Sequence, residues 1–224
     1  MPREGEAEME RFLDVLKDEV QIVALSVMAL VYIIRIRWLM ARTLASERTP
    51  PIGDATRAAR RSLFAVAMPW TIESMTKHWA TYVEFVVFHI GIAVTIAATF
   101  VIPYAPGLFE SQAILVATQV IIAAAFVVGV IRLGRRCMRQ DLRLMSSPDD
   151  YFSLVLLDLY LISAFFAVPN DNQWALIAFF GLTTFFLLYV PFSKISHYIY
   201  YPFARVYFGR HFGRRGVYPK VRGN

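Results

Sequence analysis

The sequence predicts an all-α integral membrane protein, a bundle of five transmembrane helices. Hydrophobic residues make up 57% of the 224 residues, and the mean hydropathy of +0.48 favours a membrane protein over a soluble domain. Five apolar runs approach or exceed the ~20 helical residues that a hydrocarbon core requires. The single cysteine, Cys137, excludes an intramolecular disulfide framework and a cysteine-ligated iron–sulfur cluster held by this chain alone.

The chain divides into an acidic leader, a membrane domain and a basic tail. Residues 1–19 hold seven acids and three basic residues, so this leader is not the basic start of a secretory signal, and we expect it outside. Residues 20–201 form the five-helix domain, and residues 202–224 form a basic, aromatic cytoplasmic tail. The spans are expected at about 20–41, 79–102, 111–131, 151–168 and 174–198.

The chain between the first and second spans contains both basic and apolar residues. Arg35, Arg37 and Trp38 end the first apolar run and can reach the headgroups. A PPIGD turn follows at 50–54. Arginines at 57, 60 and 61 then recur at helical spacing beside apolar residues. This pattern predicts a short, basic amphipathic helix at the membrane surface.

Turn signals separate the later spans. The PYAPG stretch at 103–107 ends the second span, and the third exits into a run of arginines beginning at Arg132. The SSPDD stretch at 146–150 offers a serine cap, a proline in the first turn and acids at the positive end of the dipole, which predicts the start of the fourth span. A short turn at 169–172 leads to the fifth.

The basic residues are concentrated in three segments of the chain. Segments 35–78, 132–150 and 194–224 hold 20 of the 23 lysines and arginines, and the turns at 103–110 and 169–173 hold none. By the positive-inside rule we expect the amino terminus outside and the carboxyl terminus in the cytoplasm, in a multi-pass protein of the inner (plasma) membrane. The net charge of +6 therefore indicates membrane lipid and an acidic protein partner, and not nucleic acid.

Two histidines belong to apolar runs. His89 follows Phe88 in the FHIGI stretch of the second span, and His197 closes the fifth. The two spans run in opposite directions, so the imidazoles can meet at similar depth. A b-type haem requires two such imidazoles on facing helices, and Gly91 and Gly181 could leave space for its ring. The alternative is a pair of histidines that only hydrogen-bond inside the bundle.

The FHIGI stretch at 88–92 and the PFSKISH stretch at 191–197 resemble the two haem-ligand motifs of the cytochrome b (gamma) subunit of respiratory nitrate reductase. The resemblance covers roughly residues 70–205. Residues 68–82 are more similar to the related membrane subunits of heterodisulfide-reductase-like complexes. The family's second ligand pair would fall on Thr99 and Phe179, which are not normal axial ligands. The resemblance therefore implies one haem b, held by His89 and His197.

His78 and His211 offer a rival second haem site. At ~100° per residue, His78 falls near the helix face of His89, and His211 near that of His197. The alternative is that both contact headgroups or a partner.

Two acids lie within or near the spans, Glu84 before His89 and Asp158 in the fourth span. An intramembrane carboxylate is costly unless it has a partner, so both are candidates for proton handling in quinone chemistry. The alternatives are that Glu84 reaches the interface and that Asp158 hydrogen-bonds to a neighbouring span or an axial histidine.

The resemblance implies a haem b-containing membrane subunit of a respiratory oxidoreductase complex, acting in electron transport rather than as an enzyme alone. It would transfer electrons between the membrane quinone pool, with quinone or quinol as exchangeable substrate, and a cytoplasmic iron–sulfur subunit. The aromatic and basic residues of 199–224 predict that the tail docks this partner. The alternative is a haem-free five-span membrane anchor or transport component.

Overall fold

A computed structural model describes residues 4–42, 50–71 and 73–218. The residues in these ranges are 88% helical and include no β-strand, which confirms the all-α prediction. The α-helices are α1 (Glu4–Lys17), α2 (Glu19–Met40), α3 (Ala55–Phe64), α4 (Glu73–Lys77), α5 (Trp79–Tyr104), α6 (Gln112–Met138), α7 (Gln140–Met145), α8 (Pro148–Ala167), α9 (Gln173–Tyr189) and α10 (His197–Arg214).

Five helical stretches of the described chain are long and apolar enough to cross a membrane, which confirms the predicted number. They are Ala7–Met40, Trp79–Tyr104, Gln112–Met138, Pro148–Ala167 and Gln173–Phe192. Large apolar side chains on their outer faces are exposed, such as Val23 (64%) and Ile34 (59%) on α2. Such faces suit contact with lipid. The direction in which the chain crosses the membrane stays a prediction.

Polar caps set the starts of α8 and α9. The Asp150 carboxylate accepts a hydrogen bond from the Ser147 backbone N–H at 2.7 Å, and Pro148 occupies the first turn of α8. The helix start predicted from this stretch is confirmed. Asn172 caps α9 by accepting from the backbone N–H groups of Trp174 and Ala175.

The described part of the acidic leader, from Glu4 onward, is helical. It forms α1, which buries Leu13 and packs against α9, and only a short break near Asp18 separates it from α2. The buried Leu13 thus gives this acidic helix a packed face.

The last span differs from the prediction at its carboxyl end. The sequence predicts that this span runs to about residue 198, but α9 ends at Tyr189 and is followed by 3₁₀ turns at Val190–Phe192 and Lys194–Ser196. Pro191 has no N–H to continue the helix, and the Ser193 hydroxyl and N–H both donate to the Val190 carbonyl. His197 is therefore the first residue of a new helix, α10.

The first of two compact units comprises the chain up to Arg35 together with Val83–Lys194. In this unit α8 packs between α6 and α9. The core holds large, fully buried side chains, namely Ile122, Leu161, Phe179 and Phe180. Gln21 of α2 joins α9 by donating to the Phe180 carbonyl and the Thr184 hydroxyl, so a polar side chain ties two spans together.

The second unit comprises Ile36–Tyr82 and the chain from Ile195 onward, and it is built on the crossing of α3 and α10. Gly209 and Gly213 of α10 meet Ala58 and Ala59 of α3, and a Cβ on Gly209 would lie 2.5 Å from the Ala59 Cα. Small residues thus let the two backbones approach closely. Hydrogen bonds from Arg205 to the Ser62 carbonyl and from Tyr201 to the Leu63 carbonyl support the crossing.

The predicted basic amphipathic helix is confirmed as α3. Its buried face is small and consists of Ala58, Ala59 and Ser62, whereas its arginines are exposed. Residues 202–214 of the predicted tail continue helix α10 and belong to the α3–α10 pair. Residues 219–224 lie outside the described ranges.

Gly209→Leu should destabilise the α3–α10 pair. A leucine there collides with α3 backbone, and overpacking of this kind costs about 1–3 kcal/mol or more. The midpoint of thermal unfolding in detergent should fall. Ala204→Leu is the matched control, because Ala204 is exposed on the same helix. Equal midpoints for both variants would contradict this packing.

Candidate functional site

His89 lies on α5, half-buried, in the first unit. Its Nδ1 is 2.7 Å from the Phe85 carbonyl oxygen, one helical turn earlier, and its ring centroid is 4.1 Å from that of Phe85. A neutral imidazole that donates Nδ1–H to this carbonyl has its lone pair on Nε2. Metal-ligating histidines are commonly oriented by such a bond, so the donor chemistry fits an axial ligand.

The chain before His197 is tied to the start of α8. Lys194 Nζ lies 2.8 Å from the Asp150 carboxylate and 2.8 Å from the Ser147 hydroxyl. The Tyr189 hydroxyl donates to Asp149 at 2.5 Å. These contacts fix the PFSK segment in the first unit. His197 follows in the second unit as an exposed residue in the first turn of α10.

The two predicted ligands thus belong to different compact units, each with its own surroundings. Both side chains supply an imidazole at an accessible or half-buried position. Their pairing across a haem stays a prediction.

His78 and His211 have different environments. His78 is exposed in the junction between α4 and α5. His211 is half-buried on α10, where its ring stacks on Tyr207 at a centroid distance of 5.8 Å and meets Phe212 edge-on. Stacking explains the position of His211 without a ligand. The second haem pair also stays a prediction.

The residues expected to leave room for a haem ring separate into two cases. Gly91 is buried, and a Cβ there would overlap the Ala125 side chain, so it serves the close approach of α5 and α6 rather than an open slot. Gly181 faces open space, with no heavy atom within 4 Å of its Cβ position.

The two positions at which the family would place its second ligand pair are engaged in packing and hydrogen bonding. Phe179 is fully buried, and its ring stacks on that of Tyr160 at a centroid distance of 5.3 Å. The Thr99 hydroxyl donates a hydrogen bond to the Ile96 carbonyl.

Glu84 forms an ion pair with Arg135, which joins α5 to α6. Both side chains are partly exposed, at 25% and 34%. Glu84 therefore neither projects freely to the interface nor lies alone in the membrane. The contact favours a structural role for this carboxylate.

Asp158 has a different environment from Glu84. It is 6% exposed, and neither carboxylate oxygen has a hydrogen-bond partner within the described ranges. Its Oδ1 fills the notch left by Gly129 on α6, where a Cβ would overlap it. The hydrogen bond to a neighbouring span that the sequence left open does not form there.

Sequence reasoning missed two anchors. Lys194 lies in a basic segment predicted to be cytoplasmic, and Asp150 is an acid at a predicted helix start, but the two side chains form an ion pair. Arg35 was expected to reach the headgroups, yet it donates to the Pro191 carbonyl and lies over the Phe192 ring at 5.0 Å. The signal that could have located the first was the pairing of opposite charges at the same end of successive spans.

No group of three or more histidine, cysteine, aspartate or glutamate side chains that could hold a metal ion occurs in the described part of the chain. The resemblance depends on the histidines at 89 and 197. The chain matches no protein-family model, no curated protein and no solved structure.

Proposed function

We propose that this chain is a haem b-carrying subunit of a membrane oxidoreductase complex that transfers electrons between a quinone pool and a cytoplasmic iron–sulfur subunit. The observation that carries the proposal is the His89 imidazole, oriented by the Phe85 carbonyl inside a membrane-spanning helix. The resemblance of the two histidine stretches adds support. When bound, the haem supplies one-electron transfer, and the protein supplies ligands, orientation and a low-dielectric surrounding.

Each residue of the proposed haem site is assigned a role. His89 would present Nε2 to the iron, because its Nδ1–H is directed to the helix backbone. His197 would supply the second imidazole. The Lys194–Asp150 ion pair anchors the segment that leads to His197, and the Phe85 and Phe88 rings flank His89.

One haem per chain is the proposed stoichiometry. The positions at which the family places the second ligand pair are occupied here by Thr99 and by Phe179, whose ring belongs to the aromatic core of α8 and α9.

The proposed orientation places the amino terminus outside the inner (plasma) membrane. It depends on the concentration of 20 of the 23 basic residues in three segments of the chain.

The α3–α10 pair is the proposed docking surface for the iron–sulfur subunit. The exposed arginines of this surface are Arg57, Arg60 and Arg61 on α3, Arg210 on α10 and Arg215 directly after α10. A positive patch of this kind attracts an acidic protein surface and steers its approach. Anionic lipid headgroups compete for the same charges.

Electron exchange with quinone tests the proposal. The purified chain, with its haem, is mixed with a quinol analogue, and a second sample reduced with dithionite is mixed with the corresponding quinone. We expect the visible haem bands to change in at least one of these directions. A haem-free preparation, or a haem that reacts with dithionite alone, would contradict the proposal and favour the alternative of a membrane anchor or transport component.

A further inference from the structure

Asp158 lies at the junction of three helices of the first unit. Its carboxyl group fills the notch of Gly129 on α6, and the Phe88 ring of α5 comes within 3.1 Å of the same Cβ position. The side chain is 94% buried, since its exposed fraction is 6%, and both oxygens are without a hydrogen-bond partner in the described ranges. An acidic side chain is thus enclosed by glycine and aromatic surface in a membrane-spanning helix.

An ionised carboxylate is poorly stable in such a place. Removing a charge from water without hydrogen bonds or a close counter-ion carries a large free-energy penalty, which is greater in a membrane-spanning bundle than at a protein surface. Glu84 avoids this penalty through its ion pair with Arg135. Asp158 has no such contact, so binding a proton is the direct way for it to become neutral.

Among the described residues of the surrounding helices, Arg132 is the cation that attracts the Asp158 carboxylate. On α6, Arg135 pairs with Glu84 and Arg136 lies 3.9 Å from Asp150, whereas Arg132 interacts with Asp158 only through longer-range attraction. The Arg132 guanidinium lies over the Phe88 ring, 5.1 Å from its centroid. The titratable side chain of α9 is Tyr189, whose hydroxyl donates to Asp149 at the start of α8.

We propose that Asp158 is a proton-binding site of the membrane-spanning bundle. The bound proton forms an O–H bond on one carboxyl oxygen, and its release leaves a carboxylate whose charge is balanced by Arg132. Gly129 and Arg132 are three positions apart on α6 and so share a face, which places the guanidinium within reach of the notch. The two states differ by one proton and by the position of one arginine side chain. The site goes beyond the proposed electron transfer and does not require a haem.

Infrared difference spectroscopy tests the proposal. Spectra of the full-length chain in lipid are recorded at acidic and alkaline pH, in the region of the carboxylic acid C=O stretch. We expect a band that disappears as pH rises, shifts in deuterated water, is retained in Glu84→Gln and is lost in Asp158→Asn. Asp158→Glu should retain the band at a shifted frequency. The same band in Asp158→Asn, or no pH-dependent band in the wild type, would overturn the proposal.

A second measurement needs no variant. Dicyclohexylcarbodiimide reacts with protonated carboxyl groups in apolar surroundings, and peptide mapping by mass spectrometry locates the adduct. We expect labelling of Asp158 that declines at alkaline pH, whereas ion-paired Glu84 stays unmodified. Equal labelling of Asp158 and Glu84 would count against the proposal. A chain that purifies without haem yet shows the infrared band would refute the proposed electron transfer and leave the proton site standing.

Discussion

His89→Ala and His197→Ala should each abolish the low-spin haem spectrum. A bis-histidine haem needs both imidazoles, and the loss of one leaves an open axial position and a weakly held cofactor. His89 also has the orientation expected of a ligand, because its Nδ1 is directed to the Phe85 carbonyl. The measurement is a reduced-minus-oxidised visible spectrum of each purified variant, normalised to protein.

His78→Ala and His211→Ala are the matched controls. Each removes an imidazole, from an exposed junction and from an aromatic stack respectively, and each should keep the haem spectrum of the wild type. A full bis-histidine spectrum in His89→Ala or His197→Ala would refute the ligand assignment. Loss of part of the haem in both control variants would instead indicate the second pair.

Replacing Arg57, Arg60 and Arg61 together with serine should release the iron–sulfur partner while the haem spectrum is retained. All three side chains are exposed on α3, and its buried contacts with α10 are made by other residues. At ~0.5 kcal/mol for each lost charge interaction, the affinity should fall about tenfold, and more at low salt. The measurement is the amount of partner that co-purifies with an affinity-tagged form of this chain, at low and at high ionic strength.

Arg139→Ser with Arg143→Ser is the control for general loss of charge, because both arginines are exposed on or beside α7 in the other unit. Partner yield should change little in this variant. Truncation after Tyr201 is a less specific test, since it removes Gly209 and Gly213 and so exposes the buried face of α3. Full partner yield in the triple serine variant would contradict docking on this surface.

Much of the fold was predictable because membrane crossing leaves strong local signals. The number of spans follows from apolar run length, and the start of α8 follows from a serine, a proline and two acids in succession. The carboxyl end of the last span was predicted wrongly because hydropathy continues through residues 190–193, whereas Pro191 and Ser193 end the helix.

The α3–α10 crossing has a signal in the sequence, in the spacing of its small residues. Gly209 and Gly213 stand four residues apart, a spacing typical of close helix contacts, and Ala58 and Ala59 supply the complementary small face. The arginines and aromatic side chains that surround these residues indicated instead a tail that docks a partner.

The difference between the two intramembrane acids could not be read from sequence. Glu84 and Asp158 each stand in an apolar run, and the identity of their neighbours depends on how α5, α6 and α8 pack. Packing brings Arg135 to Glu84 and Gly129 to Asp158. Only the second arrangement leaves a buried carboxyl group without a hydrogen bond in the part of the chain that the structure describes.

The haem content of the wild-type chain tests the central claim most directly. The chain is produced in cells that supply haem, purified in mild detergent, and assayed for haem b as the pyridine haemochrome against protein determined by amino-acid analysis. The account predicts a ratio near one haem b per chain. A ratio near zero, in a preparation that remains folded and monodisperse, would contradict it.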